Sequence, residues 1–172
     1  MATKTKPPKD AIALLTEDHA TVRELLDEFE KAAMKDGKEA EPLLETIEAE
    51  LKVHTTIEEE IFYPAFREAA SRKDDTKLYY EAVEEHHVVD MVLPEMDKGE
   101  VGSPEFAAKA KVLKDLVEHH AGEEEKEMFP RARKLMDKDE LQTLGEQLAR
   151  RKQELKAAGA SADAGGEEDE ED

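Results

Sequence analysis

The sequence predicts an all-α protein: an up-down four-helix bundle, then a short additional C-terminal helix and a disordered acidic tail. Three observations lead there. Charged residues make up 41% of the chain and aromatics only 5%, a balance that suits amphipathic helices better than strands. Apolar residues recur at 3-4-3-4 spacing through four long segments, the mark of a helix with one buried face. The segments also match in pairs. The phrase His54-Thr-Thr-Ile-Glu58-Glu-Glu-Ile-Phe-Tyr-Pro64 returns 66 residues later as His120-Ala-Gly-Glu-Glu124-Glu-Lys-Glu-Met-Phe-Pro130. The chain therefore reads as a duplicated helical hairpin, and short connections make successive helices antiparallel.

Each element has its own justification. Residues 1–9, with Pro7-Pro8, predict a disordered lead, after which Asp10 caps a helix reaching Asp36-Gly37. Its stripe is Ile12, Leu15, His19, Val22, Leu26 and Phe29. A second helix, from about Glu41 to Ala70, carries Leu44, Ile47, Leu51, His54, Glu58 and Phe62 on one face, and Pro64 is expected to kink or break it. Asp74-Asp75 opens a third, whose stripe Tyr79, Ala82, His86, Val89, Leu93 repeats the first at an offset of 67, with Pro94 near its end. Ser103-Pro104-Glu105 combines a Ser N-cap with Pro at the first helical position and starts a fourth helix to about Leu135. Its stripe is Leu113, Val117, His120, Glu124 and Met128. The bundle thus spans residues 10–135. Asp137-Lys-Asp-Glu140 resembles a capping box that opens an accessory helix within 136–156. Residues 157–172, rich in Gly and acids, have too little to bury and are expected to be a disordered tail.

Composition excludes several functions. A formal charge of −20 would be repelled by nucleic acid and by anionic membrane. Seven of the acids lie between Gly159 and Asp172, and the body stays acidic without them. With no cysteine, disulfides and thiolate metal sites are ruled out. No signal-like or membrane-length apolar run appears, so a cytoplasmic location is expected. The serines, Ser71, Ser103 and Ser161, fall in a loop, a cap and the tail, which argues against a serine nucleophile. Phe62, Phe66, Phe106, Met128 and Phe129 read as plain core, and Arg150-Arg151-Lys152 as a solvated helix face.

What remains is a set of side chains with metal-ligand chemistry. Every bundle helix offers a histidine on its apolar stripe, His19, His54, His86 and His120, and Glu58 and Glu124 follow two of them by one turn. Side chains at i and i+4 share a helix face about 5–6 Å apart. Burying imidazole beside carboxylate is costly unless a partner replaces the lost water, and a metal bound by both does so. Register is chosen by counting back ten residues from each proline and by the flanking apolar stripes. That selects His120 with Glu124 over His119 with Glu123, and His86 over His87, leaving His87 and His119 as flanking residues. Glu59-Glu60 and Glu123-Glu125 read as mostly solvated face. Imidazole with carboxylate suits iron, manganese or zinc; two carboxylates among four histidines suit a pair of metals, with iron first and manganese or zinc behind it.

The four-helix histidine pattern with paired HxxxE segments resembles the hemerythrin-like family, the HHE cation-binding domain, over about residues 10–135. The resemblance implies a non-haem, oxo-bridged di-iron centre held by His19, His54, Glu58, His86, His120 and Glu124. It implies binding of, or reaction with, dioxygen, hydrogen peroxide or nitric oxide, in an oxidative or nitrosative stress response that includes catalase-like turnover. The alternative is a module that senses or binds oxygen or iron and signals to a protein partner without catalysis. One position departs from the oxygen carriers, which have a fifth histidine four residues from another on the third helix. Here Ala82 and Asp90 flank His86, and Val83 and Met91 flank His87. The missing ligand implies an extra vacancy that favours turnover over reversible carriage, unless Asp90, Tyr79, Tyr80 or another side chain fills it.

Overall fold

The computed structural model describes residues 8–35 and 38–164, so residues 1–7 of the expected lead and 165–172 of the expected tail lie outside it. Among the described residues the regular structure is entirely helical, and no helix is long and apolar enough to cross a membrane. Helix α1 spans Ala11–Ala33, and Asp10 caps it by accepting from the Ala13 amide at 2.8 Å. Helix α2 (Ala40–Ile57) runs through a π-helical turn (Glu58–Phe62) into α3 (Tyr63–Ala69). Helix α4 is Lys73–Asp97. The second long pair repeats the first: α5 (Pro104–Glu123), a π-helical turn (Glu124–Met128) and α6 (Phe129–Leu135). Helix α7, Lys138–Ala164, follows.

Of the kink or break expected at Pro64, the break does not occur: the helix runs on through the π turn. Proline lacks an N–H, and its ring clashes with the carbonyl four residues back. A π turn, whose amides reach five residues back, absorbs both problems. The Tyr63 amide donates to the Glu58 carbonyl, and in the other copy the Phe129 amide donates to that of Glu124. The extra residue turns adjacent pairs inward at both ends of the turn: Ile57 with Glu58, then Phe62 with Tyr63, are all buried.

Other element ends follow local chemistry. The α5 cap forms as expected, Ser103 Oγ accepting from the Phe106 amide at 3.1 Å, after a turn that needs Gly102 at φ 84°. Asp75 is not the cap of α4 but lies three residues inside it. It accepts from the Ser71 and Arg72 amides and takes a bidentate pair from Arg131 at 2.6 and 3.0 Å, which pins α4 to α6. At α7, Asp137 and Glu140 exchange side-chain to backbone bonds at 2.9 and 2.7 Å, completing the expected capping box. That helix ends eight residues beyond the expected limit of 156. Alanine fills five of those eight positions, and its helix propensity outweighs the single Gly159.

Helix α1 packs on α2 and α5, and α4 on α5 and α3, giving an up-down bundle, while α7 lies across α1 and α2. The core divides into two apolar clusters. One centres on Leu26, Phe29, Ile47 and Leu113, the other on Leu15, Phe62, Phe66 and Phe129. Along α1, α4 and the two continuous segments α2–α3 and α5–α6, the buried histidine falls between contributions to the two, so a polar layer is sandwiched by dry ones.

Helix α7 completes the second cluster with Leu141 and Leu148, each worth roughly 1.5–3 kcal/mol on full burial. The cations expected to be solvated are its anchors. Arg151 clamps Glu60 with bonds of 2.7 and 3.1 Å, and Lys152 pairs with the buried Asp18. Gly145 permits this approach, since a Cβ there would overlap the Lys9 carbonyl and the Asp10–Ala11 peptide. Gly145→Ala is therefore expected to destabilise the chain by about 1–3 kcal/mol in urea unfolding, despite alanine's better helix propensity.

Candidate metal centre

The polar layer brings together all six side chains singled out by sequence. His19, His54, His86, His120, Glu58 and Glu124 are each at most 6% exposed. The register alternatives point outward, with the His87 and His119 side chains 66% and 64% exposed. Ligand atoms of His19, His54, Glu58 and Glu124 lie within 4.8 Å of one another, and so do those of Glu58, His86 and His120. Glu58 belongs to both groups. Its Oε2 stands 3.2 Å from His54 Nε2 and 3.3 Å from His86 Nε2, while Glu124 Oε2 is 3.1 Å from His19 Nε2 and 3.6 Å from His120 Nε2.

An outer ring of carboxylates sets the histidine tautomers. Glu125 faces His19 Nδ1 at 2.9 Å, Glu59 faces His86 Nδ1 at 2.8 Å, and Glu85 faces His120 Nδ1 at 2.8 Å. Asp18 stands against His54 Nδ1 at a longer 3.6 Å. With Nδ1–H of His19, His86 and His120 donating outward, their Nε2 lone pairs point into the layer, whereas His54 Nδ1 has no hydrogen-bond partner. Sequence reasoning missed this ring and placed Glu59 and Glu125 on the solvated face. The signal was present: an acid directly precedes His19 and His86, and a second Glu follows each of Glu58 and Glu124.

Left to itself, this layer is poorly satisfied. His86 Nε2 and His120 Nε2 face each other at 3.0 Å, lone pair to lone pair when both Nδ1 atoms donate. His19 Nε2, His54 Nε2, both Glu58 oxygens and Glu124 Oε2 are buried with no hydrogen-bond partner. Buried polar groups in folded proteins are nearly always paired. Nitrogen and oxygen donors converging with their lone pairs free suit a cation such as iron, manganese or zinc, so the residues present fit the metal that the sequence suggests.

One further side chain enters the layer. The Tyr63 hydroxyl donates to Glu124 Oε1 at 2.8 Å and lies 3.2 Å from His86 Nε2. Of the groups expected at the missing-histidine position, Asp90 and Tyr80 are exposed, and Tyr79 is half-buried with its ring edge-on to Tyr63. The π turn explains why a 3.6-residue reading overlooked Tyr63.

Electrostatics separate the two glutamates. Burial, reinforced by the Glu124 charge, holds the Glu58 carboxyl well above the usual range. Burial would raise Glu124 too, but His120 and His19 overcome it and keep that carboxyl low. Burial pushes His54 down to about 4. His19 and His120 are held above their ordinary value, because Glu124, with Glu125 and Glu85 respectively, outweighs burial. In the metal-free protein Glu58, His19 and His120 therefore keep protons to higher pH than free side chains do. Ligands must shed them to bind a metal. Metal uptake is expected to release protons and to weaken as pH falls through those raised values. Calorimetric titration in buffers of different ionisation enthalpy measures the release, and a pH-independent affinity would contradict it.

Comparison with known proteins bears on this geometry. Residues 10–132 match the family model of the hemerythrin HHE cation binding domain. Among solved structures, the chain is similar to a hemerythrin HHE cation-binding domain-containing protein from Mycobacterium kansasii, with a TM-score of 0.79 and 27% identity. That match covers 92% of this chain and 94% of the other. No curated protein sequence matches the chain.

Proposed function

Because the chain belongs to the hemerythrin HHE cation-binding domain family, we propose that it holds two iron ions and binds or reacts with dioxygen, hydrogen peroxide or nitric oxide in oxidative or nitrosative stress. One observation carries the reading: six buried imidazole and carboxylate side chains from four helices converge, and ligand atoms of His19, His54, Glu58 and Glu124 have no hydrogen-bond partner. His19, His54, Glu58 and Glu124 hold one ion, and Glu58, His86 and His120 the other. Bound iron supplies one-electron chemistry toward small oxidants.

The chain's own residues do the rest. The outer carboxylates orient the imidazoles, and the apolar clusters on either side keep water out. Tyr63 O–H holds Glu124 in place and keeps a proton beside His86, where burial pushes its phenol well above the ordinary range. Tyr63→Phe leaves a buried carboxylate oxygen without its donor. It is expected to destabilise the metal-free protein by about 1–2 kcal/mol in urea unfolding.

The deciding experiment is hydrogen peroxide disproportionation by iron-loaded protein. Turnover should exceed that of free iron and vanish in His54→Ala. Turnover no faster than free iron removes the catalytic version and leaves a binding or sensing module. A specific contact favours that second version: Lys152 of α7 rests on Asp18, which stands against His54. A change at the centre thus has a path to the C-terminal helix, where a protein partner can read it.

A further inference from the structure

A second, separate group of ligand-type side chains lies on the surface between α4 and α5. His119 Nε2 stands 3.3 Å from both Glu85 Oε1 and Glu123 Oε1, and the three ligand atoms lie within 4.8 Å of one another. They line an open cleft of about 310 Å³ into which Glu81 and Glu84 also face. One ring nitrogen cannot satisfy two carboxylate oxygens with one hydrogen, whereas a cation among the three satisfies all of them. His119 and Glu123 form another HxxxE pair, one residue out of step with His120 and Glu124. One residue is a rotation of about 100° on a helix, so this pair faces outward where its neighbour faces the core.

The internal repeat supplies an independent observation. Asp18 and Glu85 occupy equivalent positions 67 residues apart, and each stands against Nδ1 of a buried histidine, His54 and His120 respectively. In the first half a positive charge rests on that carboxylate, the Lys152 ammonium delivered by α7. Helix α7 packs on α1 and α2. Among the described residues no lysine or arginine pairs with Glu85, and His119 and Glu123 converge there instead.

We propose that Glu85, His119 and Glu123 form a surface site for a divalent transition-metal ion, which takes the place that the Lys152 ammonium fills in the other half. One imidazole with two carboxylates selects borderline ions such as zinc, manganese or ferrous iron over calcium or magnesium. Glu85 Oε2 remains on His120, so the surface ion sits one carboxylate away from the buried centre.

The test counts Zn2+ bound per metal-free full-length chain by equilibrium dialysis with elemental analysis. His119→Ala and Glu123→Gln should each weaken one bound zinc by about tenfold or more, a loss of affinity seen even for outer partners of metal ligands. His54→Ala should leave that zinc in place and lower only the buried count. His119 is exposed, Glu123 is half-exposed and Glu123→Gln preserves shape, so circular dichroism should match the parent. Unchanged zinc binding in both surface variants overturns the proposal whatever the buried centre holds. An unchanged count in His54→Ala would instead count against the buried centre alone.

Discussion

Removing the metal from the loaded protein is expected to lower its melting temperature by about 10 °C. A ligand present at a thousand times its dissociation constant stabilises the folded state by about 4 kcal/mol, and each kcal/mol moves the midpoint of a chain this size by roughly 2–4 °C. The physical origin is the layer of unpaired donors. Without a cation, His86 and His120 set their Nε2 atoms 3.0 Å apart and both Glu58 oxygens stay unpaired, and protons must replace the ion. Differential scanning calorimetry with and without chelator reads the difference. A metal-free helical scaffold makes the opposite forecast: chelator changes nothing, and His120→Leu with Glu124→Leu raises stability by removing buried polar groups.

Substituting Glu58 is expected to empty both metal positions, a larger loss than any single histidine change. Glu58 is the side chain common to both groups of ligand atoms, with Oε2 within 3.3 Å of histidines from two different helices. Glu58→Ala removes a ligand from each ion and leaves His54 and His86 facing a void. His86→Ala, by contrast, should cost one ion and spare the group around His19 and His54. Iron per chain after reconstitution distinguishes them: near zero for Glu58→Ala and near one for His86→Ala. Equal occupancy in the two variants would show that the ions do not share Glu58.

Much of this architecture was legible before any coordinates. Asp10, Ser103 and the Asp137–Glu140 box are caps whose chemistry is local, so sequence and structure agree there. The four histidines were found because each lies on a stripe whose period is that of an α-helix. What escaped notice broke that period or lay across space. Tyr63 enters the layer because a π turn adds a residue, and counting by 3.6 misplaces it. Glu59 and Glu125 look like surface acids along their own helices, and only a neighbouring helix reveals the histidine each one holds. Arg151 and Lys152 carry no sign of their partners Glu60 and Asp18, which stand 91 and 134 residues away. Composition undervalued the end of α7, where alanines extend the helix past the point at which acidity begins.

The paired π turns make the length of these two segments as consequential as their composition. An insertion or deletion of one residue in a surface helix normally spins everything beyond it by about 100° and is absorbed by the nearest loop. Here the surplus residue is already lodged between the histidine–glutamate stretch and the aromatic stretch of the same helix. Trimming one residue from Glu58–Phe62 or Glu124–Met128 would restore ordinary α-helical spacing, where neighbours stand about 100° apart and a pair such as Phe62 and Tyr63 cannot both face the interior. Recombining such segments between relatives must therefore preserve spacing to the residue, even where side chains are freely exchanged.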